Sequence, residues 1–316
     1  MDEEKIIELQ NRIKENPQDY DAVEQYAIAL SDIGENQEAL KNFMFLKSVQ
    51  PNNAKVYYNI GIILEKLKMA EDSIVAYEKA LSLEPENTDI MFNLSIASIK
   101  AEDYERAEEL LLKVIQKDRE DENAYFHLGE SCTRLKKHED AIKYFSKALE
   151  LDKTDLIAKF YLAYEYKEIG ETDTAIKLYN EIISENKEYS WVYYNLASIY
   201  LEKGEEDKAI IYLEKTIKTN DKDIDAIKMI VKLFAKGKKF APAERILRQA
   251  LQVLPDQADL YYLLAQIYQQ MKSKINYAKY LKMALSKSIT FTGDIEKLKE
   301  EVEALDKKPE IKKEGS

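Results

Sequence analysis

Residues that break or bend a chain are scarce here: eight glycines and six prolines in 316 residues, about a third of the share an average chain carries. That scarcity excludes a many-stranded β protein, which needs a turn every few residues, as well as collagen-like or Gly-rich linker sequence. A single cysteine, Cys132, excludes an internal disulfide, and with only His127 and His138 beside it no Cys/His zinc cage can form. No run approaches the roughly 18 uninterrupted apolar residues of a membrane span. The opening MDEEKIIELQ lacks the basic start and apolar stretch of a signal peptide, so a soluble, cytoplasmic protein is expected. A positive field is missing too: 59 carboxylates against 47 Lys plus Arg leave a net charge of -12 and a pI near 5.0, which argues against a nucleic-acid surface. At 45% apolar and 34% charged residues, the chain is nevertheless too apolar for disorder.

What is present is a period. Pro17, Pro51 and Pro85 are 34 residues apart, and Pro255 lies five further periods on. The same interval carries Phe43, Tyr77, Leu111, Phe145, Tyr179, Leu213, Leu247 and Leu281. One small-residue column runs Ala39, Ser73, Ala107, Ala141, Ala175, Ala209 and Ala243, broken by Tyr277. Another runs Ala27, Gly61, Ser95, Gly129, Ala163, Ala197 and Ala265, broken by Val231. Eight units therefore fit 20–291 without insertion: 20–53, 54–87, 88–121, 122–155, 156–189, 190–223, 224–257 and 258–291. Each reads as two helices. In 122–155, positions 125, 128, 129 and 132 form one helical face, and 141, 145, 148 and 149 form a second after a polar turn. Gly34, Gly170 and Gly204 share that turn position. Two helix axes approach to about 8 Å only where side chains are small, so the small columns mark closest contact. One pair cannot bury both apolar faces, and stacking solves this.

YYNIG at 57–61, YFHLG at 125–129, YYNLA at 193–197 and SIVAYEKALSLEPEN at 73–87 resemble tetratricopeptide repeats nearly column by column. The resemblance covers 20–291 and implies an all-α, right-handed superhelical solenoid of stacked antiparallel helix pairs. Departures are Val23, Met91, Lys159 and Ile227 in place of the family's bulky residue near the start of the first helix. Arg119, Lys153, Lys187 and Asp221 replace the closing Pro in units three to six. Residues 1–19 are expected to hold an N-terminal capping helix with Ile6, Leu9 and Ile13 on one face. Residues 292–306 are expected to hold a C-terminal one with Ile295, Leu298, Val302 and Leu305, started by Thr292 or Asp294. That last helix either caps unit eight or dimerises, and 307–316 are expected to form a disordered tail.

Catalytic patterns are absent: there is no Gly-rich phosphate loop, G-x-S-x-G or H-E-x-x-H. His127 and Cys132, five apart on one helix, point about 140° away from each other. Cys132 reads as a small buried hydrophobe and His138 as a solvated turn residue. No enzyme activity, cofactor or metal is expected.

The resemblance implies that the first helices line a concave groove. Its fifth column holds Tyr58, Phe92, Phe126, Phe160, Tyr194 and Tyr262, an aromatic ladder that either clasps a peptide or buries itself between helices. The sixth column holds Asn59, Asn93 and Asn195, with Gln25 and His127 in equivalent places, amides able to hydrogen-bond a peptide backbone. Ile157, Phe160, Tyr161, Tyr164, Trp191 and Tyr194 form an apolar group over units five and six, with the only Trp among them. Lys228, Lys232 and Lys236 repel one another at i, i+4, i+8 unless Asp225, Glu202, Asp259 or an acidic ligand end over units six to eight offsets them. The five-residue clamp by which some members of the family grip chaperone C-termini is not matched, because Tyr58 and Ile62 precede Asn93 while Asn123 and His127 follow. The reading is a non-catalytic protein-interaction scaffold or adaptor. The alternatives are a self-assembling structural protein and the recognition subunit of an enzyme complex whose catalytic part is another chain.

Overall fold

The computed structural model describes residues 3–306; the tail expected at 307–316 lies outside the described residues. The chain divides into two compact units, Met1–Glu171 and Thr172–Ser316. The first holds α1 (Glu3–Glu15), α2 (Tyr20–Asp32), α3 (Asn36–Val49), α4 (Ala54–Lys66), α5 (Ala70–Leu83), α6 (Thr88–Lys100), α7 (Tyr104–Lys117), α8 (Glu122–Arg134), α9 (His138–Leu151) and α10 (Leu156–Glu168). The second holds α11 (Thr172–Glu185), α12 (Ser190–Glu202), α13 (Glu206–Thr219), α14 (Ile224–Lys236), α15 (Phe240–Val253), α16 (Ala258–Gln270), α17 (Lys274–Ser286), a 3₁₀ turn (Ser288–Thr290) and α18 (Ile295–Asp306). No strand occurs among the described residues. The even-numbered helices α2 to α16 begin on the first residue of each predicted unit, and their partners α3 to α17 begin 16 residues later. Within each compact unit, successive helices pack against one another in chain order.

Local chemistry explains the regular starts. The residue before the first helix of each pair is Asp19, Asn53, Asn87, Asp121, Asp155 or Asp223 in six cases, and its side chain accepts a backbone N–H of the first turn. Tyr189 and Gln257 occupy the same column without a side-chain cap. Inside the pairs, large and small columns meet. A Cβ on Gly61 would lie 2.5 Å from the Tyr77 ring, and one on Gly129 2.7 Å from Phe145; both rings are fully buried. Glycine there sets the distance between helices.

The turn between the two helices of a pair places one residue in the left-handed region at every period. These are Gly34, Lys68, Glu102, Lys136, Gly170, Gly204, Lys238 and Lys272. Only three are glycine. The other five hold φ between 55° and 63°, a conformation costing roughly 1 kcal/mol for a residue with a Cβ. A methyl group added at Gly204 would meet no atom within 4 Å, so its substitution tests backbone preference alone. Gly204→Ala is expected to lower stability by about 1 kcal/mol, and Lys136→Gly to raise it by about 0.5 kcal/mol. Equilibrium denaturation followed by circular dichroism reads both, and a neutral Gly204→Ala would contradict the account.

At the ends, Leu9 of α1 is buried and Ile13 packs on the cluster containing Val23, Ala27 and Phe43. Leu298 and Val302 of α18 are buried in the core of the second unit with Leu260, Leu264 and Leu281. Asp294 caps α18, accepting the N–H groups of Glu296 and Lys297 at 3.0 and 3.1 Å. Thr292, the other candidate cap, is engaged elsewhere.

Candidate partner-binding site

In the first unit, the face made by α4, α6, α8 and α10 carries a train of rings. Phe92 meets His127 edge-on at 5.8 Å, His127 meets Phe126 at 5.2 Å, Phe126 meets Tyr161 at 5.8 Å and Tyr161 meets Phe160 at 5.7 Å. Phe126 and Tyr161 rest on the buried Phe145 ring, at 5.7 and 5.4 Å. Such edge and offset contacts each add about 0.5–1.5 kcal/mol beyond area burial. All five rings of the train are half-buried, and burial pushes the Tyr161 hydroxyl above its ordinary pKa. Ile157 is more exposed on α10, and Tyr164 lies under the Lys167 ammonium, 5.6 Å from its centroid.

The contacts follow an offset of 35 residues rather than 34. Phe92 meets His127, Phe126 meets Tyr161, and the Asn93 amide donates to the Tyr58 hydroxyl at 2.8 Å. Lys100 pairs with Glu65 and Lys66 donates to Ser31 at the same offset. The aromatic fifth column and the amide sixth column, read from sequence as separate rows, therefore interlock. Asn59, Asn93 and Asn195 also donate to the carbonyls of Lys55, Asp89 and Trp191, four residues back, at 3.0, 2.9 and 2.9 Å. With both amide hydrogens used, Asn93 turns only its carbonyl oxygen outward. His127 pairs through Nδ1 with Glu130 at 3.0 Å. A cleft of about 320 Å³ beside these residues is lined by Lys55, Tyr58, Asn59 and Asp89.

The second unit carries Trp191 and Tyr194 on α12. Trp191 is 49% exposed, and Tyr189, the residue that replaces a helix cap, lies 5.6 Å from its ring. Tyr262, further along the aromatic column, is covered by Phe291 at 5.2 Å and by Glu301, whose carboxylate accepts its hydroxyl at 3.4 Å. Of the three lysines on α14, Lys228 bonds Asp259 at 2.7 Å and Thr292 Oγ1 at 3.1 Å, and Lys236 pairs with Glu206 at 2.5 Å. Lys232 is exposed and borders, with Val231, Leu263 and Gln266, a cleft of about 400 Å³.

His138, Glu165 and Cys132 lie apart from the ring train. His138 is not a solvated turn residue: it opens α9, and its Nδ1 stands 2.8 Å from Glu165 Oε2. Glu165 itself is fully buried and accepts the Thr133 hydroxyl at 2.6 Å. The sequence carries a signal for it, since its column otherwise reads Ala29, Ile63, Ala97, Ser131, Ile199, Leu233 and Ile267. Cys132 is buried, and burial with the nearby Glu108 carboxylate pushes its thiol up to about 12. That keeps it protonated and unreactive near neutral pH. Among the described residues, no helix is long and apolar enough to cross a membrane.

Two family models match the chain: a cytochrome c-type biogenesis protein H TPR domain over residues 46–155 and a tetratricopeptide repeat over residues 168–233. No curated protein matches it in sequence. Among solved structures, it is similar to a tetratricopeptide repeat protein from Parabacteroides merdae at 20% identity and a TM-score of 0.58, covering 92% of this chain and 99% of that one. It is also similar to YrrB, a TPR protein with an unusual peptide-binding site, at 21% identity and a TM-score of 0.52, covering 59% of this chain and 96% of YrrB. MamA is 26% identical with a TM-score of 0.50, covering 54% of this chain and 94% of MamA.

Proposed function

Because this chain belongs to the tetratricopeptide-repeat family, we propose that it is a cytoplasmic, non-catalytic scaffold that holds a segment of a partner protein in a concave groove lined by first helices. Within each compact unit, the first helices of the repeats offer such a face. The observation that carries the reading is the ring train from Phe92 through His127, Phe126 and Tyr161 to Phe160. Rings locked by their neighbours lose little freedom when a ligand lands on them, which suits them as anchors. Trp191 supplies a second anchor on α12, since Trp and Tyr dominate binding hot spots. Lys232, beside its cleft, favours a ligand whose acidic end lies over repeats six to eight. The peptide-binding site named for YrrB is in keeping with this use of the fold.

Affinity capture from a lysate of the source cells, followed by titration calorimetry with the captured protein, tests the reading. Phe126→Ala and Trp191→Ala are each expected to weaken binding by about 2 kcal/mol, roughly thirtyfold. Undiminished affinity in both variants, with helix content intact, would remove this face as the binding surface.

A further inference from the structure

A second surface lies on the side of the second helices. Between α3 and α5 runs a groove of about 590 Å³, floored by Tyr57, Ile60 and Leu64 of α4. Its rims include Met44, Met69 and Val75, which are 46%, 43% and 62% exposed. Leu40, Met44 and Lys47 on α3 follow the same order along it as Asp72, Val75 and Lys79 on α5, so the two walls run parallel. At the far end, the Lys47 and Lys79 ammonium groups converge on the Tyr57 ring, 5.6 and 6.0 Å from its centroid.

The next two grooves of the first unit differ from this one. One repeat on, the corresponding groove is stapled by Glu78 and Arg106 at 2.6 Å; two repeats on, by Glu108 and Lys137 at 2.6 Å. Moved back by whole periods, those positions are Met44 with Asp72, and Leu40 with Met69. Neither can form a staple. Lys79 also lacks a carboxylate partner on its own helix. Its counterparts Lys113 and Lys147 pair with Glu109 and Glu150 on their own helices, whereas the matching positions beside Lys79 are Val75 and Ser82. In a chain of net charge -12, two lysines without a carboxylate at the end of an apolar trough constitute a complementary charge in waiting.

We infer that this groove takes an amphipathic helix from another protein. Its aliphatic side chains would enter the trough over Ile60 and Leu64, and an Asp or Glu in its end turn would lie between Lys47 and Lys79. A helix fits because two parallel helices leave a furrow into which the ridge of a third can settle. The site is separate from the first-helix face and does not depend on it.

The test pans the immobilised full chain against a displayed library of short helix-forming peptides and measures each enriched peptide by fluorescence anisotropy. The closing variant, Met44→Glu with Asp72→Arg, installs the Glu78–Arg106 staple at the equivalent positions and so preserves the fold. Enriched peptides are expected to carry aliphatic residues at i, i+3 and i+4 with a carboxylate near one end. They should bind the closing variant and the Lys47→Gln, Lys79→Gln variant at least about tenfold more weakly, and Phe126→Ala unchanged. The inference is overturned if no peptide is enriched, if acidic residues are not selected, or if the closed groove binds undiminished. It is overturned equally if only Phe126→Ala loses binding. Sedimentation of the full chain provides the remaining arm: self-association abolished by the closing variant would make the occupant a second copy and overturn the assignment to another protein.

Discussion

His138→Ala is expected to lower the stability of the first unit by about 3 kcal/mol, the upper end for leaving a buried carboxyl oxygen without its hydrogen-bond partner. Glu165 has no exposed surface, and the imidazole stands 2.8 Å from its Oε2. The Thr133 hydroxyl at 2.6 Å serves only the other oxygen. The same logic says that the pair is replaceable as a whole. Three periods earlier, the two positions are Asn36 and Ile63, and Ile63 is buried. His138→Asn combined with Glu165→Ile should therefore recover most of the loss, because burying an aliphatic side chain carries no desolvation penalty. Urea titration of the single and double variants measures both effects. A single-variant loss under about 0.5 kcal/mol would mean that the carboxylate does not need its partner.

Asp259→Ala should have the next largest effect, about 2 kcal/mol, confined to the second unit. Asp259 is buried at the start of α16 and gathers four contacts: Lys228 Nζ at 2.7 Å, the Thr292 N–H at 3.0 Å, the Thr292 hydroxyl at 2.7 Å and the Gln257 amide at 3.5 Å. Thr290 adds a hydroxyl that accepts the Ala258 N–H at 2.8 Å, and its carbonyl accepts the Gln257 amide at 3.1 Å. Together these fasten the segment leading into α18. Loss of the carboxylate should leave α18 exchanging its amide hydrogens at near-unfolded rates while α14 to α16 stay protected. The fastening should also depend on acid. Burial alone would raise the Asp259 carboxyl, but Lys228 and Thr292 outweigh it and hold the group below the ordinary range. A carboxyl depressed in the folded state contributes stability that is fully present above the unfolded value of about 3.9 and is lost as pH falls through the lower folded value. The wild-type and Asp259→Ala stabilities should thus converge below pH 4 and stand apart at neutral pH. A constant difference across that window would show that the carboxylate contributes nothing through its charge.

Much of this architecture is legible in the residues. The 34-residue columns locate the starts of α2 to α17, because a helix that must bury one stripe on each neighbour repeats its small and large positions at a fixed interval. The apolar stripes of α1 and α18 are legible for the same reason. The fit between repeats is not: a column alignment compares position with the same position, whereas Phe92 touches His127 and Tyr58 touches Asn93, each one place further along. That extra step comes from the inclination of stacked helices, a property of packing rather than of pattern. His138 misleads because its partner Glu165 is 27 residues away, and only the carboxylate's exception to its own column hints at the pair. The left-handed turns at Lys68, Glu102, Lys136, Lys238 and Lys272 are legible only through the column they share with Gly34, Gly170 and Gly204, since glycine alone advertises that conformation.

The offset of 35 residues has a bearing on how such a chain can change its length. Because the ring and amide contacts between first helices of the first unit share one displacement, excision of 88–121 would bring His127 under Tyr58 where Asn93 now stands, with each later neighbour kept. Loss of one residue more or fewer would rotate the downstream side chains by about 100° and break the junction where the cut was made. Growth and shrinkage by whole modules is therefore structurally cheap, and the ring train is the part of the molecule that such editing would rewrite first.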